Sequence, residues 1–536
     1  MKFRASSAFS FLFYSAVAVC FVAPLAWVGL TLLAEPAAWS ELWLDAFRLR
    51  LLGRTLFYNS LVAMIATIIA IPAAVALGRG RGTVSRGLVL FLPVSLLLPS
   101  IAFEYGWKQA LLLGGVFPSP QSVGDVARCI WTLAAWLWPI PACIGAIVLR
   151  RFDVSILEQS AIDGVLNRFT LRVLIRPLLA GAAIVLLLAS QEFAVFEPSG
   201  ISVVATEVRM VFDTGAYSSS TNPITQVFGA GGGEAIGAPS QSARSAAAIV
   251  TAMPLAATTV LIAALAWWAS RRLAVEGELH VGRRPTVLRA PRWSVIAGYL
   301  VIGITSGLPL VALLVAHKSG FSPQKVWATF SPQVIGSIFL ATMTMTVSIA
   351  MALFQLARPR RGMIALAAVC FLLGGQMLAI GLIRLFNRNI TAFIYDSFAI
   401  AVLAYAARFG WLALAAGGMT WQRGWVSLRE LAAIDGASPG QTLRSVVLPL
   451  AWPVLLAAGL LVAVLSLTEV AATVLLSPQN PQPLVPMLLQ WVHLQRYDAM
   501  IEGTLLLSCV VSCLAVLAVV LGAFGRRAFS ALAKSP

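Results

Sequence analysis

Twelve apolar runs, each long enough to cross a bilayer, limit what this chain can fold into. Six fall near 8–33, 55–78, 87–104, 127–149, 178–197 and 245–268, and six near 293–316, 332–356, 363–383, 396–418, 451–475 and 501–524. Charged residues make up 11% of the chain and hydrophobic ones 59%. A soluble protein of 536 residues needs far more charge to cover its surface. The sequence predicts an all-α integral membrane protein of about 12 transmembrane helices.

The chain carries a net charge of +17, which in a soluble protein would suggest nucleic acid as partner. Here it follows the bias of Lys and Arg toward the cytoplasmic side. With the N-terminus inside, the inner segments hold 25 of the 38 Lys and Arg residues. That predicts a multi-pass protein of a bacterial inner (plasma) membrane with both termini cytoplasmic. The first run follows Lys2 and Arg4 and is too long for a signal peptide, so it reads as an uncleaved span. The basic, proline-containing stretch 271–292 reads as a cytoplasmic linker, and the Gly- and Ser-rich stretch 198–244 as a flexible outer loop. None of the six cysteines forms a Cys-x-x-Cys pair, and His280, His317 and His493 are scattered. No metal site or cofactor is called for.

Six runs per half suggests a repeat, and the polar segments carry one. Ser155–Pro177 (SILEQSAIDGVLNRFTLRVLIRP) returns 272 residues later as Ser427–Pro449 (SLRELAAIDGASPGQTLRSVVLP), with ten of 23 positions identical. Unrelated stretches would share roughly one or two. The identities include Glu158/Glu430, Ala161/Ala433, Asp163/Asp435 and Gly164/Gly436. Ser-x-x-Glu at the start of each copy reads as a capping box, and the glycine as the left-handed stop of a short helix. A second amphipathic run leads to Pro177 or Pro449 and into an apolar segment. Each copy is expected to form helix, Gly turn, helix, then membrane. An even number of spans per half puts both elbows on one side, the cytoplasmic one.

Arg408, Glu192 and Glu469 stand out among the ionisable residues inside or beside predicted spans. Arg408 lies in mid-span, and Glu192 and Glu469 follow the two elbows at similar places. A buried charge in a membrane is costly and points to pairing or a pathway role. Both Arg408–Glu469 and Arg408–Glu192 are open as pairs. The position equivalent to Arg408 in the first half is Trp136, so the halves differ here. Pro99 and Gly374-Gly375 occupy corresponding third spans, where either a helix break lining a cavity or close packing through small residues would account for them.

A Glu, a Gly six residues on, an aliphatic ten further and a Pro three beyond resembles the cytoplasmic EAA loop of ABC importer permeases. These are the inner-membrane components of binding-protein-dependent transport systems. Glu158, Gly164, Leu174 and Pro177 fit the spacing, as do Glu430, Gly436, Val446 and Pro449. The first copy departs at Gln159-Ser160 and Arg176, and the second at Leu431.

The resemblance implies two parallel six-helix halves of the type I importer kind. Residues 1–270 would form the first permease domain, with its loop at 153–177, and residues 293–536 the second, with its loop at 425–449. It also implies that Glu158, Ala161, Asp163, Gly164, Glu430, Ala433, Asp435 and Gly436 couple to a separate cytoplasmic ATPase subunit, a homodimer with one copy under each elbow. A periplasmic or extracellular solute-binding protein would deliver substrate. Fusion of two permeases resembles the ferric-iron and thiamine importers, so ferric iron or another small solute (thiamine, polyamine) is the expected cargo. No lysine follows a glycine, so the chain lacks the Gly-Lys-Ser/Thr of a P-loop and is not itself an ATPase. The rival from the residues alone is an ion-coupled secondary transporter or channel, which would use Arg408, Glu192 and Glu469 directly.

Overall fold

The described residues of all twelve apolar runs lie mainly on helices in the computed structural model, which describes residues 13–35, 45–80, 83–92, 94–117, 119–151, 154–215, 240–272, 290–317, 322–357, 360–418, 423–476, 481–494 and 496–532. No strand occurs among the described residues. Among the described residues ten helices are long and apolar enough to cross a membrane, and two bent pairs bring the number to twelve if each pair is one span. In order these are α1 (Phe13–Ala34), α2 (Ala46–Arg79), the bent pair α3 (Gly87–Leu96) and α4 (Ser100–Leu113), α5 (Val123–Arg150), α6 (Val154–Ile162, too short to span), α7 (Leu166–Ser190), α8 (Val204–Thr214, also short) and α9 (Gln241–Ala266). Then follow α10 (Arg292–Ala316), α11 (Pro323–Ala357), the bent pair α12 (Arg361–Leu373) and α13 (Gly375–Phe386), α14 (Phe398–Gly418), α15 (Arg423–Ile434, the second elbow), α16 (Gly440–Leu467) and α17 (Tyr497–Gly522).

The first half of the chain packs α2, α5 and α7 on one another, and the second half packs α11, α14 and α16 in the same way. Lipid gives no hydrophobic drive for helices to associate, so close backbone approach has to supply contact energy. Small residues provide it. Gly181 sits against Pro141, Gly417 against the Ala352 backbone and Gly459 against Ile349.

The first helix of each half leaves its own neighbours and packs on the other half. Helix α1 lies along α13, and α10 lies along α4 and α2. Each contact has a glycine facing a proline: a Cβ on Gly381 would lie 2.8 Å from the Pro24 carbonyl oxygen, and one on Gly106 2.9 Å from Pro309 Cβ. Both prolines follow a π turn, Ala18–Val22 and Gly303–Gly307. A proline inside a helix clashes with the carbonyl four residues back, and widening that turn relieves the clash. Pro449 follows a third such turn, Leu443–Val447.

One alternative left open by the sequence is decided, and one expectation changes. The third spans are not continuous: α3 and α4 meet at 96°, and α12 and α13 at 101°. Ser427 does not open its helix, because α15 begins at Arg423, and Ser155 lies within α6. The capping box in the second elbow is instead Ser438–Gln441. The Ser438 amide donates to Gln441 Oε1 (2.8 Å) and the Gln441 amide to Ser438 Oγ (3.4 Å), which opens α16. Of the stretches read as linker and outer loop, residues 273–289 and 216–239 lie outside the described residues.

Gly381→Val should therefore unfold several degrees below the parent protein in detergent, from overpacking of about 1–3 kcal/mol. Gly53→Ala, where nothing lies within 4 Å, should leave the melting temperature unchanged.

Candidate functional site

The two elbows close by the same hydrogen bonds. In the first, the Asp163 amide donates to Gln159 O (2.9 Å), Gly164 to Ala161 O (3.2 Å) and Val165 to Ser160 O (3.0 Å). In the second, Asp435 donates to Leu431 O (3.0 Å), Gly436 to Ala433 O (3.1 Å) and Ala437 to Ala432 O (3.0 Å). The last bond of each set spans five residues and marks a Schellman closure, which needs a left-handed residue. Gly164 and Gly436 supply it with φ of 72° and 77°. The shared Ala-Ile-Asp-Gly thus closes by the same hydrogen-bond pattern in both copies.

These turns present their predicted residues outward. Glu158 is half-buried, and Ala161, Asp163, Gly164, Glu430, Ala433, Asp435 and Gly436 are exposed. Ile162 and Ile434, which sequence reasoning passed over, are each 79% exposed at the elbow tip. Their signal was present as one of the ten identities. Gln159 donates to Asp163 Oδ1 at 3.3 Å. Each elbow rests against the end of its half's second span: Arg79 of α2 donates to Asn167 Oδ1 (3.4 Å), and Arg429 to Leu356 O at the end of α11 (3.4 Å).

From each elbow one helix leads into the centre of the bundle. Helix α7 has 25 residues and so spans about 37 Å. It ends at Ser190, just before Gln191 and Glu192, and α16 ends at Leu467, just before Glu469. Both carboxylates meet the break of a third span. Glu192 accepts from Ser100 Oγ, at the first residue of α4 (2.9 Å), and from the Ala194 amide (3.1 Å). Glu469 accepts from the Ala472 amide (3.0 Å) and pairs with Arg408. At the start of α13, Gly375 leaves room for this pair, because a Cβ there would collide with Arg408 Nη1 and Glu469 Oε1. Where the second half has Arg408, the first has Trp136, whose indole donates to Leu98 O at the other break (3.1 Å).

Of the two pairings left open by the sequence, Arg408–Glu469 is the direct one, with both residues buried. Glu192 lies within electrostatic reach of Arg408 and Glu469 but is held by Ser100. Between the halves, Gln191 Nε2 donates to Phe371 O (3.2 Å) and Leu372 O (3.1 Å), two carbonyls in the last turn of α12.

A second buried ionic group escaped the sequence reading. Arg128 donates to Glu104 Oε1 (2.6 Å), Asp125 Oδ1 (2.7 Å) and Ser199 Oγ (2.7 Å), joining α4, α5 and the segment before α8. Asp125 and Arg128 lie three apart on one helix, which was the available signal. This group lies near the start of α5, away from the elbow that follows its end. His317 Nε2 lies 3.1 Å from Glu502 Oε1, joining α10 to α17. No group of three or more His, Cys, Asp or Glu side chains suited to a metal ion is assembled among the described residues.

No family model matches this chain, and neither the curated proteins nor the solved structures include a significant match to it.

Arg408→Gln leaves Glu469 buried without its cation, at a cost of about 3–5 kcal/mol. The single variant should lose its folded peak in size-exclusion chromatography, and Arg408→Gln with Glu469→Gln should regain most of it. Failure of the double variant would show that Arg408 serves something other than this pair.

Proposed function

We propose that this chain is the transmembrane permease subunit of an ABC importer. Its two six-helix halves form the solute pathway, and both elbows face the cytoplasm. The observation that carries this reading is the pair of elbows: the same closure at the same offset, each showing a bare isoleucine and each leading through one helix to a broken span. An exposed apolar residue on a rigid turn is a surface for a partner protein. Two copies fit a partner that presents two equal grooves, a dimeric cytoplasmic ATPase.

In that scheme ATP-driven closure of the partner moves Ile162 and Ile434 with their turns. Helices α7 and α16 transmit the motion, because a packed helix moves as a rigid body. At their far ends Gln191, Glu192 and Glu469 hold the breaks of the third spans, so displacement there parts or joins the halves. The permease performs no covalent chemistry. A solute-binding protein on the outer face supplies cargo, with ferric iron, thiamine or a polyamine as the classes suggested by the fused architecture.

The second reading, an ion-coupled secondary carrier, draws on Glu192, Arg408 and Glu469 beside helix breaks, the arrangement in which such carriers hold ions. It assigns no task to two matched elbows.

The test is ATP hydrolysis by a candidate ATPase reconstituted with this chain in liposomes. Ile434→Asp and Gly436→Val should each lower stimulation at least tenfold, the first by removing the contact and the second by placing a β-branched residue at a left-handed turn. The same changes at Ile162 and Gly164 should add to the loss. Transport driven by an ion gradient, with no ATPase bound, would establish the carrier instead.

A further inference from the structure

A cavity of about 40 Å³ lies where the first half meets the break between α12 and α13. Gln191 at the end of α7, Val208 of α8, Leu255 and Thr259 of α9, and Gln376 and Met377 of α13 are among its walls. All of its lining side chains are uncharged. Two of them carry an unused hydrogen-bonding atom. Gln191 has its amide nitrogen fixed by two carbonyls, so the buried Oε1 is a free acceptor. Gln376 is 7% exposed, and its Nε2 is a buried donor without a partner. Such groups are costly to leave unmade, which makes a ligand with one donor and one acceptor the natural complement.

Charge is excluded by what surrounds the cavity. The N-terminus of α13 opens onto it and carries about half a positive charge. Glu469 Oε1 lies 2.7 Å from the position of a Gly375 Cβ, so a carboxylate already offsets that dipole. Arg408 gives Nη1 to the same carboxylate and does not line the cavity, and Glu192 is held by Ser100 and the Ala194 amide. An anion would meet Glu469 behind the wall, and a cation would meet Arg408 and the helix end. Neither finds an unpaired counter-charge.

We infer that this cavity is the solute-recognition point of the pathway, and that it takes an uncharged hydroxyl or amide group between Gln191 and Gln376. The inference rests on the permease reading and narrows its cargo. A bare ferric ion, thiamine and a polyamine are all cations and fit poorly, whereas a neutral polyol or an amide-bearing solute fits. At about 40 Å³ the cavity admits a group of one or two water volumes. A whole solute enters only when the halves part and the Gln191 bridge to α12 opens.

The test measures the charge that the cavity accepts, without a known solute. Cys143, Cys509 and Cys513, the exposed cysteines, are replaced by Ser, and Thr259→Cys or Met377→Cys is added, with the parent lacking either as blank. The full chain in nanodiscs is treated with hydroxyethyl, trimethylammonioethyl and sulfonatoethyl methanethiosulfonates, each rate divided by that for free cysteine. The neutral reagent should react at least tenfold faster than either charged one, and adding Gln376→Arg should shift the preference toward the sulfonate. A charged reagent that reacts equally fast or faster, or no reaction at either position, overturns the inference. Because no ATPase is present, a neutral preference in a chain that stimulates no ATPase would refute the importer reading and leave this site standing.

Discussion

A broken helix inside lipid has to find partners for the backbone groups it frees, and this bundle is arranged around two such breaks. In a hydrocarbon core each unpaired amide or carbonyl costs several kcal/mol. Trp136 donates to Leu98 O at one break, and Gln191 to Phe371 O and Leu372 O at the other. Ser100, at the start of α4, donates to Glu192. The side chains that take these carbonyls come from α5 and, across the midline from the opposite half, from the end of α7. The position of each of those helices is therefore tied to the integrity of the breaks.

The halves solve this shared problem differently. The first uses neutral donors, an indole and a hydroxyl, with Glu192 as acceptor. At the second, Gln191 of the first half takes the carbonyls, and the Arg408–Glu469 pair sits beside the break where Gly375 has no side chain to exclude it. A buried ion pair is a poor source of stability against an apolar replacement, so the asymmetry is best understood as specificity of arrangement. The elbows differ too: α6 has nine residues and leads directly into α7, whereas α15 has 12 and is followed by its own capping box and a π turn. The second connection is the less regular of the two.

Much of this was legible in the sequence, and the failures have physical causes. The spans follow from hydropathy because lipid selects for it, and the elbow turns follow from Gly164 and Gly436 because only glycine takes that conformation without strain. Pro99 and the paired glycines marked the breaks, but periodicity does not distinguish a bend from close packing. The Ser-x-x-Glu pattern misled because Ser and Glu also occur inside helices, and α15 starts at Arg423, five residues before the first helical position that a cap at Ser427 requires. The Arg128 group was hidden because its residues lie at the ends of apolar runs, where charge ordinarily faces water. The exchange of α1 and α10 between halves was not readable at all, since no single segment encodes its distant neighbour.

That exchange sets an order on how the protein can be made. Helix α1 leaves the ribosome before its glycine groove, at Gly381 on α13, which is encoded roughly 350 residues later, a delay on the order of half a minute at ~10 residues per second. Until then Pro24 and its π turn have only lipid or the insertion machinery for company. The first half cannot reach its finished packing while it is the only half present. Joining the two in one polypeptide ensures that the missing groove always arrives, in equal number and on the same membrane patch, for every first helix that waits.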